Sequence, residues 1–578
     1  MSTKPLVRLD DLLLAHGFVE GEERNFMALL LLVWISRQKK TDQEFLIDHG
    51  ARAIQVELEE IAAEGFPVAL KLENLPEFDG AALVQASILM RDWVESGDDA
   101  PAGDFPALAA AVKAGFTVAP GVLTMMGQLL APESAELTYV PWDENGQLSA
   151  ALASLGAFIR IESESPAIAM LVGMLQKKSW HITACEPILE TVDDGAKYTS
   201  SAAILPFGSM FSTRMLEQLS PLYFPERTTS ASVLGIRRML AVTSGRIVVA
   251  VQNNVLFSSG AEYSLRQELL KRGQLRTVIA MPAGLLNYIG IAFSVLVIDV
   301  KGGNELVRFV NAALPRFNTA NRINALRHVD ELVQLSTGVM PGPEAVCVPV
   351  RELLENDAQL QAERYVVTEK GAVARSILST ARTVTLEDLV SVLRPPLIVK
   401  ATDIGKSFAV LEAMEVGAGD LPQFGYISQA TRPVKIEDKS RTAAHYLRAH
   451  DIVIVVKGSV GKVGIVPSNQ ASPEQWQWTA GQAAIVLRMR ENAPIDARAL
   501  FVQLRSPFGQ ELIKSIVSGA SMPIIQLKEL RELRVILPDQ EEQRQAVEAL
   551  EEEAVAEAHI ATYRAQQELC AKHLWQLA

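Results

Sequence analysis

Hydrophobic residues between positions 245 and 301 fall in two near-continuous β-branched runs that flank one amphipathic segment. The runs, Ile247 to Val251 and Ala292 to Val300, lack the alternation of a half-exposed strand, so both faces of each strand are predicted to be buried. Between them, leucines recur at helical spacing from Ala261 to Arg272, and a short strand follows from Thr277 to Ala280. This order of elements predicts a strand–helix–strand unit of a doubly wound α/β domain.

Helical spacing of apolar residues dominates both ends of the chain. The N-terminal part predicts several helices, one of which contains the apolar run Met27 to Ile35; this run is too short to span a bilayer and is interpreted as a buried helix. The stretch from Ser96 to Gly103 has the composition of a linker. The last segment, Glu541 to Leu577, predicts one long helix. Its stripe of mostly small apolar residues comprises Val547, Leu550, Ala554, Ala558, Ala561 and Ala565.

Composition narrows the class of protein but does not identify it. A chain of 578 residues with 49% hydrophobic and 21% charged residues predicts a globular protein of two to four domains. Its cysteines, Cys185, Cys347 and Cys570, are far apart and form no Cys-x-x-Cys pair, so neither a disulfide framework nor a metal site is predicted. This usage, with no evident signal peptide, fits a cytoplasmic protein. The net charge of −14 argues against diffuse binding of nucleic acid, although a local basic face is compatible with it.

The central segment also carries a specific series of short motifs. In order they are Gly245-Arg246-Ile247, Val255-Leu256-Phe257 with Gly260, Leu265-Arg266-x-x-Leu269-Leu270, and Val278-Ile279 before Pro282-Ala283-Gly284. This series resembles the C-terminal half of the catalytic domain in the N6-adenine DNA methyltransferase subunits of type I restriction–modification systems. The resemblance implies a fold that binds S-adenosylmethionine and a flipped adenine.

The cofactor loop departs from the pattern of that family. After the first strand, Leu137 to Val140, the family has Asp-Pro-x-Cys-Gly-x-Gly, whose glycines let the backbone approach the cofactor at a helix N-terminus. This chain reads Val-Pro-Trp-Asp-Glu-Asn-Gly-Gln from Val140 to Gln147, and Gly146 is the one glycine that survives. The bulky and acidic side chains are expected to occupy or repel the space that the methionine part needs.

An acid at the end of the second strand is a further candidate for cofactor binding. Folds of this class hold the ribose hydroxyls with such a residue, and Glu162 ends the strand predicted from Ala157 to Ile161. Two readings stay open: Glu162 is a vestigial or working cofactor ligand, or it is a solvated glutamate of the kind common at strand ends.

The catalytic motif is degenerate as well. The family has Asn-Pro-Pro-Phe or Asn-Pro-Pro-Tyr, whose amide holds the adenine amino group and whose aromatic ring stacks on the base. Here the residues are Ile204, Leu205, Pro206 and Phe207, and isoleucine offers no hydrogen bond. Two losses, one in each half of the site, predict a pseudoenzyme with no catalytic residue and no cofactor. The alternative is an active adenine-N6 methyltransferase with divergent motifs, which would require S-adenosylmethionine.

The sequence motifs after residue 386 are of a different kind. The segment Tyr446 to Val466, the phrase Ser506-Pro507-Phe508-Gly509-Gln510 and the ending Ile536-Leu537-Pro538-Asp539-Gln540 resemble the target-recognition domain of type I specificity subunits. Between Arg432 and Lys462, seven basic and three acidic residues leave a local charge of +4, which suits a surface facing DNA. The candidate DNA-binding residues are Arg432, Lys435, Lys439, Arg441, Lys457, Ser459 and Lys462.

The same basic region has two simpler interpretations, a glycine turn and a solvated charged face. The stretch from Lys457 to Lys462 lacks the Gly-x-x-x-x-Gly-Lys spacing of a phosphate loop for nucleotide hydrolysis, so a glycine turn between two strands is predicted. Two lysines and a serine beside backbone amides would still suit phosphate contact. A basic surface can also be no more than a solvated charged face.

These observations predict an α/β protein in four parts. They are an N-terminal helical domain (1–105), a doubly wound, Rossmann-like methyltransferase domain (106–370), a mixed α+β target-recognition domain (386–540) and a long C-terminal helix (541–578), a candidate coiled coil. The expected function is DNA reading or scaffolding in a phage-defence or restriction–modification-like complex, with double-stranded DNA and other proteins as partners and no membrane. A homodimer through the C-terminal helix and packing of that helix against the methyltransferase-like domain of the same chain are equal alternatives. An interaction protein that has lost DNA contact is a third candidate function.

Overall fold

The computed structural model divides the chain into two compact units, Met1–Val366 and Val367–Ala578. It describes residues 5–38, 52, 54–61, 79–97, 103–112, 117–132, 136–177, 180–191, 198–286, 290–314, 316–318, 325–366, 369–399, 410–437, 446–468, 477–518 and 524–572. Among these residues, no helix is long and apolar enough to cross a membrane.

The first unit combines a helical N-terminal part with a mixed sheet. Its helices are α1 (Pro5–Ala15), α2 (Gly21–Arg37), α3 (Gly80–Ser96), α4 (Phe105–Ala111), α5 (Pro120–Leu130), α6 (Gln147–Ser154), α7 (Ala167–Leu175), α8 (Thr213–Leu216), α9 (Ala231–Val242), α10 (Ala261–Lys271), α11 (Val329–Thr337), α12 (Val350–Glu355) and α13 (Ala362–Tyr365). Its strands are β1 (Leu137–Pro141), β2 (Phe158–Ser163), β3 (His181–Ala184), β4 (Tyr198–Ile204), β5 (Thr243–Gln252), β6 (Leu275–Met281), β7 (Phe293–Asp299), β8 (Leu306–Asn311) and β9 (Ala345–Pro349).

The N-terminal helices form a core of their own that extends onto the sheet domain. The apolar run in α2 is a buried helix as predicted, since every residue from Met27 to Trp34 is at most 5% exposed. Helix α3 begins at a side-chain cap, because the Asp79 carboxylate accepts hydrogen bonds from the amides of Ala81 and Ala82. The same cluster includes Leu171 and Leu175 of α7, so the helical part and the sheet domain share buried residues.

The sheet of the first unit has the order β3-β2-β1-β4-β5-β7-β6-β8-β9 among the described residues. The pairs β3 with β2, β2 with β1, β1 with β4 and β4 with β5 are parallel. Strand β7 runs antiparallel to both β5 and β6. The order turns around at β1, whose two neighbours are β2 and β4. This makes the unit a doubly wound α/β fold with a switch point at the carboxyl ends of β1 and β4.

Both faces of this sheet are covered, which explains the near-continuous apolar runs in the sequence. Along β5, Val248 and Ala250 join a core that includes α5, α6 and α11. Their neighbours Ile247, Val249 and Val251 join a second core that includes α9 and α10. The strands predicted around residues 247–251, 277–280 and 292–300 and the helix between them are confirmed.

The second unit is a mixed α+β assembly of small sheets followed by one long helix. Its helices are α14 (Glu369–Thr380), α15 (Leu386–Leu389), α16 (Ala497–Arg505), α17 (Pro507–Ser515), α18 (Leu527–Glu532) and α19 (Gln540–Lys572). Its strands are β10 (Thr383–Thr385), β11 (Val390–Leu393), β12 (Val410–Val416), β13 (Arg432–Glu437), β14 (Ile452–Val455), β15 (Val463–Ile465), β16 (Trp478–Ala480), β17 (Ala484–Met489), β18 (Val517–Ser518), β19 (Ile524–Ile525) and β20 (Arg534–Ile536). The larger sheets have the orders β11-β17-β14-β15 and β13-β12-β16.

Helix α19 is anchored near its beginning and projects beyond the anchor. Leu550 is fully buried in the core of the second unit. Two ion pairs fix the next turn, because Arg498 reaches Glu551 at 3.3 Å and Arg505 reaches Glu553 at 2.6 Å. From residue 558 to residue 570 every residue of the helix is exposed.

Candidate functional sites: the switch-point cavity and the lysine loop

A cavity of about 310 Å³ lies at the switch point of the first unit. Open α/β sheets bind their ligands at this place, outside the carboxyl ends of the strands where the order reverses. The cavity is lined by Val118, Trp142, Asp143, Glu144, Asn145, Gln147, Leu148, Ile204, Leu205, Pro206, Phe207 and Ser209. The structure therefore brings together the loop after β1 and the segment Ile204 to Phe207 at the end of β4, for which the sequence resemblance predicted a cofactor loop and a catalytic motif.

The loop after β1 is held by a tryptophan in a strained backbone conformation. Trp142 has φ 59°, a left-handed value that is uncommon for a residue with a side chain. Its backbone N–H donates to the carbonyl of Glu162 at 2.9 Å, and its indole Nε1 donates to Glu186 at 3.2 Å. These bonds fix the ring as one wall of the cavity.

Asp143 occupies the N-terminus of helix α6. Its Oδ2 accepts a hydrogen bond of 2.7 Å from the backbone N–H of Ser149, in the first turn of the helix. Burial raises the pKa of the Asp143 carboxyl, while hydrogen bonds from the amides of Ser149, Leu148 and Gln147 act in the opposite direction. A helix N-terminus is a general anion site, and here the chain supplies the carboxyl group itself.

Further carboxyl groups surround this turn. Burial raises the pKa of Glu144, and the nearby charges of Glu22, Glu164 and Asp143 raise it further. Burial is also the main cause of a raised pKa at Glu186. Carboxyl groups are thus concentrated at this turn, and that of Asp143 already occupies the N-terminus of α6.

Gly146 has a structural reason to be glycine. Its φ is +66°, and a Cβ at this position would lie 2.9 Å from the Cα of Ala169 and 3.0 Å from the ring of Trp180. It precedes α6 directly, and its carbonyl accepts from the N–H of Ala150 at 2.8 Å. The close contact between α6 and α7 therefore accounts for the one glycine that survives in the loop.

Glu162 lies inside the protein. It is 3% exposed, and its Oε2 accepts hydrogen bonds from the Tyr139 hydroxyl at 2.6 Å and from Arg238 Nη2 at 3.0 Å. Tyr139 in turn stacks on Tyr198 with ring centroids 4.8 Å apart. The interpretation of Glu162 as a solvated strand-end glutamate is wrong, because Arg238 on α9 draws the carboxylate into the core.

The end of β4 presents apolar groups where an amide would be needed. Ile204 is the last residue of the strand and lines the cavity. Leu205 is 2% exposed and packs against Gly235 of α9, with its backbone N–H bonded to the carbonyl of Ala250 at 3.2 Å. Phe207 packs edge-on against Phe293 with centroids 6.0 Å apart. Of the four motif positions, Phe207 alone keeps the type of side chain that stacks on a base.

In the second unit, the glycine turn predicted between two strands is confirmed. Residues 456–462 connect β14 to β15, and Gly458 and Gly461 have φ +76° and +88°. Lys457, Ser459 and Lys462 are exposed. We call this segment, Lys457 to Lys462, the lysine loop.

The other candidate DNA-binding residues differ from the lysine loop in their surroundings. On β13, Arg432 forms an ion pair of 2.7 Å with Glu415, and Lys435 lies opposite Glu412 in the register with β12. The positive charge of Arg432 is therefore partly neutralised, and Lys435 has an acidic residue at the facing position of the neighbouring strand. Lys439 and Arg441 lie outside the described residues. Sequence reasoning missed both acidic neighbours, because strand pairing of β12 with β13 cannot be read from charge counts along the chain.

In the described part of the chain, no group of three or more His, Cys, Asp and Glu residues is arranged to hold a metal ion. Near the switch point, Glu144 and Glu186 both have a raised pKa, and they do not belong to a group of this kind.

Comparison with known proteins finds a family model that matches each of two regions of the chain. Residues 203–372 match the model of the N-6 DNA methylases, and residues 382–553 match that of the type I restriction modification DNA specificity domain. No curated protein sequence matches this chain.

Several solved structures are similar over large parts of the chain. A type I restriction–modification methyltransferase subunit from Streptococcus thermophilus is 14% identical, with a TM-score of 0.46 over 62% of this chain and 97% of that one. A modification subunit assigned to a type I restriction enzyme of Vibrio vulnificus YJ016 is 13% identical, with a TM-score of 0.48 over 61% and 94%. The type IIG restriction endonuclease BpuSI is 12% identical, with a TM-score of 0.45 over 92% and 72%.

Proposed function

We propose that this chain, which joins an N-6 DNA methylase region to a type I restriction modification DNA specificity domain, binds double-stranded DNA without methylating it. The chain is thus a protein of the DNA-modification and restriction type. Within that class, its role is to read DNA or to act as a scaffold in a phage-defence or restriction–modification-like complex.

The observation that carries this proposal is the position of Asp143. Its carboxyl group bonds the N-terminal turn of α6 at 2.7 Å, in the loop where the family places the cofactor. The methionine part of S-adenosylmethionine carries a carboxylate of its own, which would compete with Asp143 for the amides at the N-terminus of α6. The position at the N-terminus of α6 that would take the carboxylate of this cofactor is therefore occupied by the chain itself, which supports the absence of cofactor binding.

The end of β4 supports the same conclusion independently. Adenine methylation needs an acceptor that holds the exocyclic amine toward the methyl donor. Ile204 and Leu205 offer none from their side chains, and Leu205 is directed toward Gly235. Each half of the site has lost a different requirement of the reaction.

DNA binding is supported by the lysine loop and by the specificity domain that contains it. Two lysines and one hydroxyl are exposed on a turn built from glycines, an arrangement that suits phosphate contact without base reading. Binding through such groups releases counterions and depends steeply on salt.

Calorimetric titration with S-adenosylmethionine and fluorescence anisotropy with random duplex DNA test the two halves of the proposal. We expect no heat of cofactor binding and salt-sensitive DNA binding. The double variant Lys457→Ala with Lys462→Ala should weaken DNA binding. It should leave the cofactor titration unchanged. Micromolar binding of the cofactor would contradict the proposed absence of cofactor binding. Equal DNA affinity of the native chain and the double lysine variant would contradict DNA binding through the lysine loop.

The second candidate is an active adenine-N6 methyltransferase with divergent motifs. The observation that favours it is the cavity itself, which remains open at about 310 Å³ and keeps Phe207 in its lining. Transfer of a labelled methyl group from S-adenosylmethionine to adenine in duplex DNA would establish it. Absence of transfer at saturating DNA and cofactor would remove it.

A two-fold dimer through α19 is part of the proposal. The helix exposes apolar side chains beyond its anchor, including Val555 at 58%, Tyr563 at 66% and Leu569 at 58%. Since the chain has one recognition domain, a symmetric dimer would present two DNA-reading surfaces. Mass measurement of the DNA complex tests this, and a strict monomer on DNA would exclude it.

The four-part division at residues 105, 370, 386 and 540 also remains a proposal, to be tested by limited proteolysis.

A further inference from the structure

The phrase Ser506-Pro507-Phe508-Gly509-Gln510 forms the corner between helices α16 and α17. The Ser506 hydroxyl accepts from the N–H of Gly509 at 3.1 Å and donates to the carbonyl of Gln503 at 2.6 Å, which caps α17. Pro507 occupies the first position of the helix, where its missing N–H is not needed. A Cβ on Gly509 would lie 2.0 Å from the carbonyl oxygen of Gln503, so the corner requires glycine.

The tight corner places Gln510 against the lysine loop. Its side-chain Nε2 donates to the carbonyl of Gly461 at 3.0 Å and to the carbonyl of Leu504 at 2.9 Å. One amide group therefore ties the loop to the end of α16. The contact is close, since a Cβ on Gly461 would lie 3.4 Å from Gln510 and 3.3 Å from Ile513.

The opposite side of the lysine loop is held by backbone hydrogen bonds. The N–H of Ile525 donates to the carbonyl of Val456 at 2.9 Å, and Lys457 forms a bridge with Ile524. Within the loop, the N–H of Gly461 donates to the carbonyl of Val455 at 3.0 Å. On the side of α17, the side chain of Gln510 thus supplements the backbone bonds that fix the turn.

We propose that Gln510 is a positioning residue for DNA binding, which holds the lysine loop in the shape that presents Lys457, Ser459 and Lys462 to the phosphates of duplex DNA. Gln510 itself is part-buried and acts through the carbonyl of Gly461. Fixing a loop before binding removes part of the ordering cost, so its loss weakens binding without removing a charge. This inference rests on the proposed DNA binding by the lysine loop.

Gln510→Ala is the principal variant, and Gln503→Ala is its matched control. Gln503 also bonds backbone groups through its side-chain amide, with Nε2 on the carbonyl and Oε1 on the N–H of Ile536, each at 3.1 Å. It lies on the neighbouring helix and contacts β20 instead of the loop. We expect Gln510→Ala to weaken duplex binding about three- to tenfold, because the loop must then be ordered on binding, and Gln503→Ala to leave affinity unchanged.

A variant cycle separates positioning from a general loss of structure. In a protein that already carries Lys457→Ala and Lys462→Ala, adding Gln510→Ala should cause no further loss of DNA affinity. The same fractional loss in both backgrounds would overturn the inference. If Gln510→Ala does not fold, as judged by circular dichroism, Gln510→Met keeps the length of the side chain and is measured in its place.

The outcomes also distinguish this inference from the proposed function. If the lysine variants bind DNA as well as the native chain, DNA binding by the loop fails and the inference fails with it. If the lysine variants are weakened and the Gln510 variants are not, DNA binding stands and the positioning role of Gln510 is overturned.

Discussion

The loop after β1 and the lysine loop are both glycine-containing turns that follow a buried strand, and they present opposite chemistry. In the first, Trp142, Asp143 and Gly146 are engaged by the protein itself, and carboxyl groups crowd the turn. In the second, two lysines and a serine are exposed to solvent, and the Nζ of Lys462 also donates to the carbonyl of Ala418 at 3.3 Å. A glycine turn thus provides a geometry, and the side chains on it determine whether that geometry is available to a ligand.

The two turns also differ in what their glycines contact. The added Cβ at Gly146 would meet the backbone of α7, whereas at Gly458 nothing lies within 4 Å. The turn of the methyltransferase region is therefore packed at Gly146, whereas the lysine loop is open at Gly458 and contacts Gln510 at Gly461. Perturbing each turn should affect stability in the first case and DNA affinity in the second.

The largest effect is expected from Glu162→Gln in the core beneath the first turn. Arg238 would lose its charged partner in a buried site, and breaking such a pair lowers the free energy of unfolding by about 3–5 kcal/mol. Denaturant titration followed by circular dichroism measures the loss. Unchanged stability of the variant would show that the pair of Glu162 with Arg238 does not stabilise the fold.

Two controls sharpen this measurement. Combining Glu162→Gln with Arg238→Met removes both charges and should recover part of the lost stability. Glu355→Gln breaks the exposed pair of Arg351 and Glu355, whose side chains are 90% and 67% exposed, and should leave stability unchanged within error.

A comparison of Gly146→Ala with Gly458→Ala tests the two turns directly. Both glycines have positive φ, so alanine is strained at each, but only at Gly146 does the new Cβ overlap backbone. We expect a loss of about 2–4 kcal/mol at Gly146 and about 1 kcal/mol at Gly458. Thermal unfolding of the two variants measures the difference, and equal losses would contradict the contrast drawn between the turns.

The pH dependence of stability distinguishes two variants of Asp143. Burial raises the folded-state pKa of this carboxyl, so the folded protein holds the proton more tightly than the unfolded chain. Stability from this group is therefore full below the ordinary Asp pKa of about 4 and falls as the pH rises through the raised pKa. Asp143→Asn keeps an acceptor for the Ser149 amide and should remove this fall.

Asp143→Ala removes the acceptor as well. We expect it to lower the free energy of unfolding by about 1 kcal/mol at neutral pH, the usual cost of losing a helix cap. Unfolding curves between pH 4 and neutral pH measure both variants. Parallel curves for the native and Asn proteins would show that Asp143 does not titrate in this range.

The smallest effects are expected on DNA binding by single basic residues. Lys457→Ala should weaken binding severalfold and lower the slope of log K against log salt by about 0.9, the share of one phosphate contact. Arg432→Ala should leave that slope unchanged, because Glu415 already binds its guanidinium at 2.7 Å. Anisotropy titrations at several salt concentrations measure both slopes, and an equal decrease in both would place Arg432 on the DNA as well.

Local patterns in the sequence predicted the elements better than the contacts between them. The continuous apolar runs of β5 and β7 follow from burial on both faces, and that signal lies within each strand. The fate of Glu162 depends on Arg238, which is 76 residues away, and the support of the lysine loop depends on Gln510, 49 residues from Gly461. Such pairings arise from the packing of α9 on the sheet and of α17 against the loop, which spacing along the chain does not encode.

The buried leucines of α7 limit where the chain can be truncated. Leu171 and Leu175 are 0% and 3% exposed because the N-terminal helices cover them. A protein that lost its first hundred residues would expose this patch to water and acquire a surface prone to self-association. A truncated protein that keeps the sheet should therefore also keep the N-terminal helices that cover α7.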